Sequence, residues 1–197
     1  ANYMDAKSPP GFSVVGGQTR NPYGAYDTLG SSSGSAVAAA ANFAAATVGT
    51  ETQGSLIMPA SINSVVAIKP SLGLVSRDSV IPLLDWQDTP GPMGRTVSDA
   101  AQLLTAMTGV DANDPATQDA APLAGVDFTQ FLKPEAAAGL RVGIVINTEA
   151  DIAQMLNDLG ISEENGADIR SALEAGNDEQ RRLGEVFAGL GFEVVEV

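Results

Sequence analysis

Two short turns carry the hydroxyl groups that could do covalent chemistry in this chain. The first is Gly30-Ser31-Ser32-Ser33-Gly34-Ser35, and the second is Thr50-Glu51-Thr52-Gln53-Gly54-Ser55. Ser55 directly follows Gly54, and backbone N–H groups at such a turn can converge on a developing oxyanion. Losing one donor from a pocket of that kind slows acyl transfer by about 10²–10³. A Gly-Ser pair alone is far more often an ordinary turn, so its weight comes from its surroundings. The sequence contains no histidine and no cysteine. Thiolate nucleophiles, disulfides and the usual imidazole base are therefore excluded, and lysine becomes the leading group to activate a serine. On this ground alone, the two turns read as a complete serine-based hydrolytic site.

The serine loop has two blander readings. A flexible Gly/Ser linker is disfavoured because a helix is predicted directly after it. A phosphate cradle fits hydroxyl-rich turns at helix N-termini better. However, no Gly-Lys-Ser/Thr signature is present, and no lysine lies between Lys7 and Lys69, which excludes the P-loop version.

The elements that must position these turns follow from propensity and pattern. Pro9-Pro10-Gly11, Gly16-Gly17 and Asn21-Pro22 keep residues 1–35 irregular. Ser35 to Ala46 is alanine-rich and predicts a buried helix capped by Ser33 or Ser35. A short strand is expected near Thr47–Thr50 and another over Val65–Ile68, ended by Pro70. Residues 71–95 are rich in turns and predict a surface segment. Thr96 or Ser98 caps a helix to about Met107, with Leu103, Leu104 and Met107 as its apolar stripe. Leu140–Ile146 reads as a strand and 167–189 holds a helix with Ile169, Leu173, Leu183, Val186 and Phe187 as core candidates. Phe192–Val197 begins a second strand. Strand, helix, strand makes a parallel crossover, so the fold class is α/β. The expected organisation is a core over 1–110, a loop-rich connection over 111–139 and a strand-helix-strand unit over 140–197.

At 197 residues with 44% hydrophobic content, the chain can bury a sizeable core. Its net charge of −14 is unevenly placed. Residues 1–98 hold five basic and six acidic side chains, net −1, while 99–197 hold five and eighteen, net −13. The acidic excess argues against nucleic-acid binding and reads as a solubilising face away from both turns. No apolar run approaches the roughly 20 residues of a membrane span. The compartment stays open, with the cytoplasm favoured.

Six stretches, in order, resemble the amidase signature family, and most closely its bacterial peptide-amidase-like branch. They are GGQTRNP (16–22), GSSSGSA (30–36), GTETQGSLIMPAS (49–61), VAIKP (66–70), GLVSR (73–77) and QDTPGPMGRTVSDAA (87–101). The resemblance implies an amidase signature fold, a mixed sheet flanked by helices. It makes Ser55 the nucleophile. It makes Ser31, twenty-four residues ahead, a proton-relaying serine after a cis peptide bond, with Ser32 as a supporting hydrogen-bond partner. The N–H groups of Thr52, Gln53, Gly54 and Ser55 correspond to the family's oxyanion hole. The family's base is a lysine well upstream of the serine loop. Lys7 falls in the wrong context and Lys69 belongs to the IKP stretch, so the base is expected outside this chain. The chain thus reads as an internal piece of a longer domain, inactive alone and needing the remainder.

The resemblance implies hydrolysis of a carboxamide in a small molecule or peptide, with no metal or organic cofactor. Two other functions share the motifs: an aminoacyl-tRNA amidotransferase A-type subunit, and a non-catalytic anion-binding or scaffold domain. Several positions depart from the common pattern. Glu51 stands where aspartate is common, Gln53 where glycine or aspartate is, and Ser33 where glycine is. Ile57 replaces a frequent arginine, so no charge pair can join residues 51 and 57.

Overall fold

The computed structural model describes residues 9–162 and 164–197. Contacts divide the chain into two units, one running up to Leu132 and the other from Lys133 onward. The architecture is mixed α/β, as the sequence predicts.

The first unit opens with a small hairpin of β1 (Phe12–Ser13) and β2 (Gly17–Gln18). Helix α1 (Ser33–Ala40) follows, then strand β3 (Ala46–Glu51), the short helix α2 (Ile57–Ile62) and strand β4 (Val66–Ala67). Strand β5 (Thr89–Gly94) and helix α3 (Val97–Met107) complete the part that carries the serine turns. The sheet has the order β3-β5-β4 and is antiparallel throughout. Its core is formed by Ala36, Leu56, Ala60 and Met93, with Val65 and Ala67 packed against them. Leu56 immediately follows Ser55, so burial of this side chain anchors the second turn to the core.

The helix predicted over Ser35–Ala46 is shorter and starts earlier. It ends in a Schellman motif: Asn42 adopts φ +62°, its N–H donates to Ala39 O, and the Phe43 N–H donates to Ala38 O at 2.9 Å. Asparagine tolerates the left-handed region better than alanine does. The alanines beyond it are thereby released to begin β3. Neither Ser33 nor Ser35 caps the helix; Ser32 holds that position, and its side chain makes no cap hydrogen bond.

Residues 71–95 also depart from the expected surface segment. Residues 71–88 are turns and bends, but 89–94 form the central strand of the sheet, buried at every position. Pro90 and Pro92 would ordinarily argue against a central strand. Here Pro92 O accepts from Ile68 N at 3.1 Å, so Pro92 faces the β4 side, and Pro90, two residues away, faces the same way. Strand β4 pairs over only two residues there, and the residues that alternate with the prolines face β3 across the full six-residue ladder. The missing proline amides cost that ladder nothing.

Helix α3 begins with the predicted Thr96 cap, completed by Asp99 into a capping box. Leu104 is buried and Leu103 and Met107 are half-buried, as the stripe requires; Ala100 and Ala101 supply the rest of that face. Three 3₁₀ helices span Pro115–Leu123, Phe128–Phe131 and Pro134–Ala137.

In the second unit β6 (Arg141–Ile144) pairs in parallel with β7 (Glu193–Glu196), confirming the crossover. Two helices lie between them: α4 (Glu149–Asp158), opened by a Thr148/Asp151 capping box, and α5 (Ala167–Gly189). The core face of α5 differs from the expected one. Ile169, Leu173 and Phe187 are half-buried, but Leu183 and Val186 are exposed, while Asn177 and Gly184 are buried. Gly184 packs against Ile144 and Val194, where a small residue lets the helix approach the sheet. The Asn177 side chain exchanges hydrogen bonds with the Asn147 backbone.

Candidate active site

The loop preceding α1 and the turn following β3 are tied together by serine hydroxyls. Ser32 Oγ donates to Thr50 O at 3.0 Å and accepts from Thr50 N at 3.1 Å. Ser35 Oγ donates to Val48 O, Thr47 Oγ1 donates to Ser35 O, and Ser33 Oγ donates to Leu29 O. Three of the four serines in the loop are therefore committed to holding the loop and α1. Ser31 is the exception: among the described residues its hydroxyl has no hydrogen-bond partner, and the peptide bond before it, Gly30–Ser31, is cis.

Close approach makes this docking possible. A Cβ at Gly49 would lie 2.7 Å from Ser32 Oγ and 2.8 Å from both Ser32 Cβ and Leu56 Cδ2. Ser32 N then donates to Ser55 O at 3.1 Å, which sets Ser31 beside the second turn. Further back, Asn63 Nδ2 bonds Thr28 O at 3.1 Å and Asn21 Nδ2 bonds Ile62 O at 2.9 Å, fastening the loop to the end of α2. A cavity of about 410 Å³ opens beside Ser31, bounded by Gly11, Phe12, Thr19, Ser31 and Thr50; Ser55 does not line it.

The second turn is built around a buried carboxylate. Glu51 Oε2 accepts from Leu56 N at 2.7 Å and Ile57 N at 3.1 Å, and Lys69 Nζ stands 3.4 Å from Glu51 Oε1. Burial pushes the Glu51 carboxyl up, but the N–H groups of Leu56, Ile57 and Gly54, together with the Lys69 charge, hold it below its ordinary value. The charge pair that side chains 51 and 57 cannot form is thus replaced twice: by the Ile57 backbone N–H and by Lys69. Gly54 turns the chain at φ +78°, and Met58 N closes the turn onto Gly54 O at 2.8 Å.

Ser55 is 5% exposed, and its hydroxyl has no partner among the described residues. The backbone N–H groups of Thr52, Gln53 and Ser55 likewise find no acceptor among the described residues; Gln53 is exposed, Thr52 half-buried and Ser55 buried. Their turn is gripped from outside. Lys69 Nζ donates to Thr52 O at 2.7 Å, and Thr52 Oγ1 donates to Asp88 Oδ1. Asp88 Oδ2 in turn accepts from Leu83 N at 2.6 Å and Leu84 N at 2.8 Å. Burial raises the Asp88 pKa, but the Thr52 hydroxyl and the two amides outweigh it and keep the carboxylate ionised.

Of the predicted residues, Ser32 is joined to Ser55 through its N–H, and Thr52–Ser55 form the adjoining turn; Ser31 lines the cavity that Ser55 does not. Lys69 and Asp88 have no site role in the sequence reading. An acid inside a turn with isoleucine at position 57 needed a cation from elsewhere, and Lys69 is the only lysine between Lys7 and Lys133.

The family model for Amidase matches residues 5–159. This chain belongs to the amidase family. Among curated relatives, a probable amidase of Arabidopsis thaliana is 47% identical over 150 residues, 74% of this chain and 29% of that protein. A glutamyl-tRNA(Gln) amidotransferase subunit of Thermosynechococcus vestitus is 38% identical over 175 residues, 88% of this chain and 33% of its own. Among solved structures, the peptide amidase of Stenotrophomonas maltophilia matches with a TM-score of 0.72 and 43% identity, over 98% of this chain and 35% of that one. The chain spans about a third of the length of these relatives.

Proposed function

We propose that these residues form the nucleophile and oxyanion portion of an amide hydrolase, which cleaves a carboxamide in a small molecule or peptide to a carboxylic acid and ammonia or an amine. The observation that carries this reading is a pair of hydroxyls, Ser31 and Ser55, left without partners while the other serines of the first loop are engaged, beside a turn with unused N–H donors. Ser55 Oγ attacks the carbonyl carbon and passes its proton to Ser31 Oγ, whose own proton goes to a neutral lysine. The N–H groups of Thr52, Gln53 and Ser55, with that of Gly54 shared with Glu51, stabilise the oxyanion. As the tetrahedral intermediate collapses, Ser31 protonates the departing nitrogen and regains a proton from the lysine, and the C–N bond breaks, leaving an acyl ester on Ser55 and a neutral lysine. Water hydrolyses that ester and returns the proton. Lys69 is committed to Glu51 and Thr52 O. Lys69 is thus not available as the base, Lys7 lies outside the described residues, and the lysine of this reading is the one that the family resemblance implies.

Ser55→Ala in the full-length protein is expected to abolish amide hydrolysis. Activity kept within about tenfold, roughly 1.4 kcal/mol of barrier, would refute Ser55 as nucleophile. The 197-residue chain alone should turn over no simple amide. The likeness to a glutamyl-tRNA(Gln) amidotransferase subunit supports a second reading, in which released ammonia is passed on to a charged tRNA. Dependence of turnover on that tRNA and on partner subunits would decide for it.

A further inference from the structure

Lys69 does more in this structure than balance Glu51. Its ammonium makes its shorter contact with a neutral atom, Thr52 O at 2.7 Å, against 3.4 Å to the Glu51 carboxylate. Thr52 O belongs to the same peptide unit as the Gln53 N–H, and Gly30–Ser31 is the cis bond of the described residues, so the Thr52–Gln53 unit is trans. In a planar trans peptide, C=O and N–H point in opposite directions. Fixing Thr52 O on Lys69 therefore aims the Gln53 N–H away from Lys69. That N–H has no acceptor among the described residues. A cation on the carbonyl also draws electron density through the amide and makes the N–H a stronger donor. Asp88 holds the Thr52 hydroxyl, so the unit is fixed at both the main chain and the side chain.

We propose that Lys69 is a positioning residue for the oxyanion hole, orienting and polarising the Thr52–Gln53 peptide so that Gln53 N–H is presented to the substrate's carbonyl oxygen. The proposal rests on the reading of Ser55 as nucleophile. Since the oxyanion forms only after attack, the contribution of Lys69 belongs to the transition state more than to the bound amide. A purely structural Lys69 would serve only to neutralise Glu51.

The test uses the full-length protein, a panel of N-acetylated amino-acid amides as substrates, and a peptide aldehyde as the probe that forms a tetrahedral adduct. Labelling of wild-type Ser55 by a fluorophosphonate, lost in Ser55→Ala, first establishes the nucleophile; absence of that label overturns the underlying reading and this proposal with it. Lys69→Gln should then lower kcat by tenfold to a hundredfold, with KM within about threefold and aldehyde affinity falling in parallel with kcat. Lys69→Arg should recover part of the loss. The double variant Glu51→Gln/Lys69→Gln removes both charges and leaves no unpaired buried carboxylate. If Lys69 positions the peptide, the double variant stays slow in kcat. Recovery to within threefold of wild type, or a Lys69→Gln loss confined to KM, would overturn the proposal. The double variant also answers the question if Lys69→Gln alone fails to fold.

Discussion

Gly49→Ala isolates the fit between the serine loop and the sheet. Glycine within a strand is normally a weakness, and replacing it with alanine at a compatible φ gains about 0.4–1 kcal/mol by restricting the unfolded chain. Gly49 does not have a positive φ. Propensity alone therefore forecasts stabilisation. The structure forecasts the reverse. The new methyl would sit 2.7 Å from Ser32 Oγ and 2.8 Å from Ser32 Cβ and Leu56 Cδ2. Overpacking of this kind costs about 1–3 kcal/mol. Pushing Ser32 outward also breaks its two hydrogen bonds with Thr50, each contributing about 1 kcal/mol. A net loss of about 2–4 kcal/mol is expected, read as a lower urea midpoint at unchanged m-value. Ser32→Gly removes both clashing Ser32 atoms. It should cost about 2 kcal/mol in the wild-type background and much less when combined with Gly49→Ala, giving a coupling of at least about 1 kcal/mol in a double-mutant cycle. A neutral or stabilising Gly49→Ala, or strict additivity with Ser32→Gly, would refute the claim that Ser32 is seated against β3.

Two further outcomes bear on the surroundings of the turn. Asp88→Ala leaves the Thr52 hydroxyl and the Leu83 and Leu84 amides without their acceptor and should cost about 2 kcal/mol, with residues 78–87 becoming open to limited proteolysis. Asp88→Asn should retain most of that stability, because its amide oxygen can accept from Leu83 and Leu84 while its NH₂ donates to Thr52; equal losses for the two variants would contradict the clamp. The second outcome concerns acid. Hydrogen bonds from the Arg77 guanidinium, at 2.8 and 2.9 Å, hold the Asp114 carboxyl well below its ordinary value of 3.8 despite burial. A depressed carboxyl stabilises the fold above its unfolded pKa and loses that contribution as pH falls through the folded one. Stability should therefore hold down to about pH 4 and decline below it, and Asp114→Asn should flatten that limb while costing about 3 kcal/mol near neutrality. An unchanged acid limb in Asp114→Asn would place the titration elsewhere.

The candidate site was readable in the sequence through the family resemblance: a Gly-Ser pair alone is far more often an ordinary turn, and the absence of histidine only narrows the choice of base. The two turns flank a single helix-strand unit, and the Ser32 N–H on Ser55 O joins them. The boundary of that unit was less legible. The alanines between Ser35 and Ala46 favour a helix less strongly than Asn42 at φ +62° opposes one, and no sum of propensities over the window reveals the Schellman hydrogen bonds that end it. Strand β5 was hidden for a different reason. Proline is a breaker in any local reading, and only the sheet order shows that both prolines face the side where little pairing is needed. Similarly, Leu183 and Val186 have the spacing of a core face, but tight packing at Gly184 rotates that face away from them.

The placement of Glu51 raises a question of sign that the Lys69 contact answers. A carboxylate one residue before the proposed oxyanion donors should oppose the negative charge those donors would stabilise, and a buried one more so because screening by water is weak. On that count alone, removing the acid should help. Yet Glu51 is what holds the amides of Leu56 and Ile57, and with them the start of α2 and the buried Leu56 next to Ser55. Lys69 reconciles the two demands. Its charge offsets that of Glu51, while its shorter bond goes to Thr52 O, on the carbonyl side of the proposed oxyanion donor Gln53 N–H. The pair is therefore close to neutral but oriented, with its positive end on the peptide whose N–H is proposed to donate to the oxyanion. An aspartate at position 51, one methylene shorter, could reach either the amides or the lysine less readily. Glu51→Asp is thus expected to weaken the Lys69 grip first, lowering kcat before stability.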